Sequence, residues 1–269
     1  MTVAEALSGS GIDLSEARLL LESACGLSRA AMAAHPEAVV DEPAAAKFRA
    51  ATARRRRGEP IAYLLGERGF YGISLAVSPA VLIPRPETEL LVDFALERLP
   101  RDGTLLDLGT GSGAIALAVK RERPDVRVTA VDESADALGI ARGNAARLGL
   151  EVEFLQGNWF GPVGADRFDV VVSNPPYVAA GDPHLDSGDL RFEPQAALVG
   201  GPDGLDAIRH IVRASSLHLR QQGWLALEHG LGQDAAVRQL LIGCGLESVT
   251  SRPDLAGIAR ITIGKYNPE

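Results

Sequence analysis

Asn174-Pro175-Pro176-Tyr177 directly follows the apolar run FDVVVS. A residue before proline is held extended, and the Asn174 side-chain carbonyl can accept a hydrogen bond from an N–H. Pro175 has a fixed φ and no N–H of its own, so its carbonyl is a second rigid acceptor. Two fixed acceptors suit an NH₂ group, and beyond Pro176 the Tyr177 ring offers a flat face for a planar amide or base. An amide nitrogen is a poor nucleophile because its lone pair is delocalised into the carbonyl. Acceptors that grip its hydrogens direct its electron density at an electrophile in an in-line displacement. Orientation and exclusion of water then supply the rate, an effect of roughly 7–11 kcal/mol, without a metal or a strong base. The tetrad alone specifies an NH₂ on a planar system, which a glutamine side chain and adenine share.

The second constellation is Gly109-Thr110-Gly111-Ser112-Gly113, which follows TLLDL and opens a helical stretch. A glycine-rich strand-to-helix turn lets backbone approach a ligand at the carboxyl edge of a parallel sheet. Asp132 ends the next strand, about 20 residues on, where a carboxylate can accept from ribose hydroxyls. The pair points to an adenosine-type cofactor. The spacing is G-x-G-x-G rather than the dinucleotide G-x-G-x-x-G. Together with Asp107, it favours S-adenosylmethionine, whose amino group replaces a pyrophosphate, over NAD.

Both loops need a sheet to hold them. TLLDL, VRVTAV, EVEFLQ, FDVVVS, GWLALE and IARITIG alternate with helical stretches at Ala114–Arg121, Ala135–Leu148, Leu205–Arg220 and Asp234–Ile242. This alternation predicts a doubly wound, mostly parallel sheet covered on both faces. If FDVVVS is its fourth strand, it neighbours the first, and both loops open onto one crevice. Ahead of the sheet, Leu14, Ala17, Leu21, Ala24 and Cys25 share one helical face, with Asp13 and Glu16 reading as a capping box. Asp41 before Pro43 opens another helix toward Arg57. The division expected is a helical, substrate-recognising domain over 1–68, a hairpin over 69–84, and a Rossmann-like catalytic domain over 85–269.

A net charge of −8 argues against a broadly basic, nucleic-acid-neutralising surface, so DNA is not expected as the partner. No apolar run reaches the roughly 18 residues of a membrane span, and MTVAEALSGS lacks the features of a secretory signal. A cytoplasmic, monomeric protein is the expectation. Cys25 and Cys244 stand in no C-x-x-C pair and read as reduced core residues. His184, His210, His218 and His229 show no metal-ligand spacing, and no metal site is expected.

The segments GEPIAYLLGE, LIPRPETE, LDLGTGSGAIALA, VSNPPY, RFEP and LALEHG, within about residues 58–266, resemble the HemK/PrmC protein-(glutamine-N5) methyltransferases. These modify the Gly-Gly-Gln glutamine of class-1 peptide-chain release factors. The resemblance implies a class I S-adenosylmethionine-dependent methyltransferase fold, with a seven-stranded sheet, a small N-terminal helical bundle and a linking hairpin. It also implies donor contacts at Gly109 to Gly113, Asp132 and Asn174, Trp159 beside the adenine, and Asn174 to Tyr177 around the glutamine. A DNA adenine methyltransferase shares the tetrad but usually carries an added recognition region. A methyltransferase of a ribosomal-protein glutamine would differ at LIPRPETE, and a silent donor-binding module is disfavoured by the intact tetrad.

Three features stay outside the catalytic set. Arg54–Arg57 read as a solvated helix end, with docking of a partner as the alternative. The irregular stretch from 180 to 200 reads as a loop that closes over the substrate. Arg85, Glu87 and Glu228 are assigned to bracing as readily as to the site.

Overall fold

The computed structural model describes residues 1–268, which fall into two compact units: Met1–Glu67 with Asp186–Phe192, and Arg68–Leu185 with Glu193 onward.

The first unit is helical, with α1 (Val3–Ser8), α2 (Leu14–Cys25), α3 (Arg29–Ala34), α4 (Glu42–Arg56) and α5 (Ile61–Leu65). Val3, Leu20, Leu21, Met32, Ala45 and Phe48 form its core. Asp13 caps α2 by accepting from the Ser15 and Glu16 backbone N–H groups. The expected reciprocal bond from Glu16 is replaced, because its carboxylate takes the Arg55 guanidinium at 2.7 Å. The full capping box lies at α1, where Thr2 and Glu5 exchange both bonds.

The second unit opens with a hairpin of β1 (Glu67–Phe70) and β2 (Ile73–Ala76), whose first residue closes the helical unit. There follow α6 (Glu89–Arg98), β3 (Thr104–Leu108), α7 (Ala114–Glu122), β4 (Arg127–Asp132), α8 (Ala135–Leu148), β5 (Glu153–Gln156), β6 (Phe168–Ser173), α9 (Gln195–Leu198), α10 (Asp206–His218), β7 (Leu219–Glu228), α11 (Asp234–Gly243), β8 (Leu246–Pro253) and β9 (Ala259–Tyr266). Strands β3 to β9 form one seven-stranded sheet in the order β5-β4-β3-β6-β7-β9-β8. Its first five strands run parallel, and β9 pairs antiparallel with both β7 and β8.

Neighbouring residues along a strand alternate between two cores. Leu105, Val170 and Ala226 pack with α6 and α7, whereas Leu106, Val171 and Leu225 pack with α10 and α11. Burial on both faces is why these strands read as continuous apolar runs. The first and fourth sheet strands, β3 and β6, are direct neighbours. Cys25 and Cys244 are free thiols, as expected, and each is partly buried and packed against a core instead of enclosed within it.

Candidate active site

Leu108 and Ser173 are the last paired residues of β3 and β6, and the Ser173 hydroxyl donates to the Leu108 carbonyl at 2.7 Å. The glycine loop and the NPPY element therefore leave the sheet side by side, at one level. Both line a cavity within the second unit, together with Asp132 at the end of β4.

The glycine loop alternates left-handed and ordinary residues: φ is +72° at Gly109, +56° at Gly111 and +85° at Gly113. That alternation explains the G-x-G-x-G spacing, since L side chains are disfavoured at every second position. Gly111 donates its backbone N–H to Asp132 at 2.8 Å, and Ser134 donates to the other carboxylate oxygen at 2.9 Å. Burial pushes the Asp132 carboxyl above its usual range. Gly109, Thr110, Gly111 and Ser112 line the cavity, whereas Gly113 is not among its lining residues. A Cβ at Gly113 would meet Leu117 at 2.9 Å, so this glycine is required for close packing at the start of α7.

Beneath the loop, Asp107 is fully buried. One oxygen accepts from the Thr110 hydroxyl at 2.7 Å and the Ala116 N–H at 3.2 Å, and desolvation pushes its carboxyl up to about 7. Asp107 thus braces the loop from below. Asn144, fully buried on α8, holds the loop from behind, donating to the Ser112 and Ala76 carbonyls and accepting from the Ala76 N–H. This residue escaped the sequence reading because nothing in GNAARL distinguishes it from a helix-surface asparagine.

Trp159 lines the cavity with φ of +45°, a conformation that strains a bulky residue. The Gly157 N–H bonded to the Asp132 carbonyl at 3.0 Å holds the preceding turn against β4. A Cβ at Gly109 would stand 3.6 Å from the indole Cζ3, an ordinary contact, so it is the left-handed φ and not crowding that calls for glycine there.

On the opposite wall, Asn174 and Pro176 line the cavity, whereas buried Pro175 and partly buried Tyr177 do not. The Asn174 Nδ2 donates to the Thr88 hydroxyl at 3.1 Å, Thr88 donates to Glu228 at 2.7 Å, and the Tyr177 hydroxyl donates to the other Glu228 oxygen at 3.2 Å. Burial pushes Glu228 up to about 7 and, with the neighbouring carboxylate, drives the Tyr177 phenol well above its ordinary range. Glu228 is therefore bonded to the site but is not a cavity-lining group. The Tyr177 carbonyl is held by Gln233 at 3.0 Å, and Gly200 and Gly204 let the following turn press against the Pro176 and Tyr177 carbonyls.

LIPRPETE and RFEP build one wall. Glu193, buried, accepts from the Ile83 N–H at 3.0 Å and pairs with Arg85. Leu82, Pro84, Thr88, Pro194, Ala196 and Ala197 line the cavity beside that tie. The stretch after NPPY thus divides: Asp186–Phe192 belong to the helical unit, and the residues from Glu193 form part of the catalytic wall. Arg54, Arg55 and Arg56 are engaged inside the helical unit, with Glu59, with Glu16 and Asp189, and with the Ser10 carbonyl. Arg54, Arg56 and Arg57 are exposed at the end of α4, as expected of a helix terminus, whereas Arg55 is half-buried and tied to Glu16 and Asp189.

Among the described residues lining the cavity are Asp132 and Glu133 but no lysine or arginine. A pyrophosphate would find no cation there, whereas a sulfonium and an amino group suit the acidic lining. Among the described residues no His, Cys, Asp or Glu cluster could hold a metal.

The family model of the PrmC N-terminal domain matches residues 2–66, and that of the methyltransferase small domain matches residues 86–190. A release factor glutamine methyltransferase of Xylella fastidiosa strain Temecula1 is 49% identical over 257 residues, which cover 94% of each chain. One of Pseudomonas aeruginosa is 51% identical over 253 residues, 93% of this chain and 92% of the relative. The fold is shared with a crystal structure of a methyltransferase from Pyrococcus furiosus, with a TM-score of 0.58 at 20% identity over 80% of this chain and 98% of the other. With half of its residues identical over nearly the full length of such relatives, and with the methyltransferase fold in place, the chain belongs to the release factor glutamine methyltransferase family.

Proposed function

We propose that the protein methylates the side-chain amide nitrogen of the glutamine in the Gly-Gly-Gln motif of class-1 release factors, with S-adenosylmethionine as donor. The products are N5-methylglutamine, S-adenosylhomocysteine and a proton. The observation that carries this reading is the cavity itself: an acidic, cation-free lining with an aromatic face on one side, and an asparagine whose amide nitrogen is already engaged on the other.

When bound, the donor supplies an electrophilic methyl on sulfur. Asp132, each of whose oxygens accepts one backbone N–H, keeps lone pairs for ribose hydroxyls. Trp159 offers a planar surface for adenine, and Gly109 to Ser112 present backbone in place of side chains. Asn174 Oδ1 and the Pro175 carbonyl hold the two hydrogens of the substrate amide; Pro175 and Tyr177 do not line the donor cavity and would meet the substrate beyond it, while Pro176 lines it and Gly113 fixes the loop. Its relatives of Xylella fastidiosa and Pseudomonas aeruginosa, release factor glutamine methyltransferases, support glutamine over adenine as the acceptor. In this reading the helical unit recognises the release factor, and the protein is a cytoplasmic monomer that does not act on DNA. Among the described residues no helix is long and apolar enough to cross a membrane.

Purified release factor incubated with the protein and donor, then analysed by mass spectrometry, should gain one methyl on the Gly-Gly-Gln glutamine. Unmodified factor alongside methylated DNA adenine would overturn the reading.

A further inference from the structure

Asn174 can serve as an acceptor only if its amide is turned the right way. Rotation by 180° about the last side-chain bond exchanges Oδ1 for Nδ2 at almost no steric cost, and a donor in that place would repel the substrate N–H. Something must set the flip.

We propose that Thr88 and Glu228 are positioning residues that lock the Asn174 amide with its carbonyl oxygen free for the substrate. The inference rests on the methylation reading above. Glu228 is 1% exposed and Thr88 4% exposed, so neither exchanges partners with bulk water. An ionised carboxylate only accepts hydrogen bonds. The Thr88 hydroxyl at 2.7 Å must therefore spend its single proton on Glu228, and toward Asn174 it can only accept. The atom facing it at 3.1 Å must then be Nδ2. Tyr177 spends its proton on the second Glu228 oxygen, so it too reinforces the carboxylate as the sink of the chain. The direction set at Glu228 is passed through Thr88 to Asn174, leaving Oδ1 as the atom available to a ligand in the cavity that Asn174 lines.

Thr88→Val removes the hydroxyl and keeps the shape, while Thr88→Ser keeps the hydroxyl. The expected result for Thr88→Val is a kcat about tenfold lower, the scale of one lost neutral hydrogen bond. Donor affinity by calorimetry should be unchanged, and Thr88→Ser should restore kcat. A second readout needs no turnover. The chain has four asparagines, at 144, 158, 174 and 267, so ¹⁵N-asparagine labelling gives four side-chain amide pairs. The Asn174 pair should exchange with solvent faster in Thr88→Val, while the Asn144 pair stays protected. Wild-type kcat with unaltered Asn174 exchange in a folded Thr88→Val protein would overturn the inference while leaving the methylation reading intact. A wild-type protein that fails to methylate the glutamine would instead overturn the reading on which it rests.

Discussion

On the proposed function Asn174 touches the substrate amide and Glu228 positions it through Thr88, and each has a distinct signature. If Asn174 holds the substrate amide as proposed, removing its side chain takes away one preorganised contact at the reacting nitrogen, and such contacts are worth about 10²- to 10³-fold in kcat. Asn174→Ala should show a loss on that scale in release-factor methylation, with donor affinity by calorimetry largely retained. Glu228 supplies a pH dependence. Its carboxyl, pushed up to about 7 by burial, feels Thr88 and Tyr177 as hydrogen-bond donors, Glu87 as a like charge and Arg260 as an opposite one. Below that value it holds a proton, can donate to Thr88, and no longer dictates the direction of the chain to Asn174. Activity should therefore fall as pH drops through about 7, and Glu228→Gln should flatten that limb. The same shift has the opposite sign for stability. The unfolded chain releases this proton near 4.3, so between about 4.3 and 7 the folded state binds more protons and stability falls as pH rises. Melting curves should show Glu228→Gln gaining relative to wild type at pH 8 but not at pH 4. Equal shifts at both values would remove the buried charge as the cause.

At the scale of elements, the glycine loop separates packing from binding. Gly113 has φ of +85° and Leu117 at 2.9 Å from a would-be Cβ, whereas Gly111 has φ of +56° and no atom within 4 Å. A left-handed L residue costs about 1–2 kcal/mol at either position, and only Gly113→Ala adds a clash. It should therefore melt lower than Gly111→Ala, whose stronger effect should be on donor affinity, because Gly111 faces the cavity. This loop was legible in the sequence because its geometry demands a residue type at every second position, and NPPY was legible because its residues have few other uses. The edge strand β8, LESVTSRP, was not. Only its first residue, Leu246, is buried, so it carries neither the apolar run of a central strand nor a clean alternation. Thr88 and Glu228 were hidden for a different reason. The bonds that give them a role span 86 and 140 positions of chain, and no local pattern encodes such a pairing. Within the basic run Arg54–Arg57 the surface explanation missed only Arg55, whose partners Glu16 and Asp189 lie far away in sequence.

At the scale of the whole molecule, the chain passes from one unit to the other three times: after Glu67, after Leu185 and after Phe192. The segment Asp186–Phe192 is thus covalently continuous with the catalytic wall while Asp189 and Arg191 within it bond residues of the helical unit. Two arginines hold it there. Arg55 bonds Glu16, the Glu59 carbonyl and Asp189, and Arg191 donates to the Arg57 carbonyl. The Arg191 guanidinium occupies space left by Gly58, where a Cβ would stand 2.0 Å from its Nη2 and where φ of +93° already excludes most residues. Gly58→Ala should therefore displace Arg191 as surely as Arg191→Ala removes it, whereas Arg55→Ala also strips the half-buried Glu16 of its partner and should lower the melting temperature further. All three variants should be cut faster between Asp186 and Phe192 under limited proteolysis, with the cleavage site read by mass spectrometry. If Gly58→Ala and Arg191→Ala leave that rate at the wild-type value, these contacts do not hold the segment. If the rate rises while catalytic-unit sites stay resistant, anchorage of this loop is a property of the helical unit, set by residues more than 120 positions away in the chain.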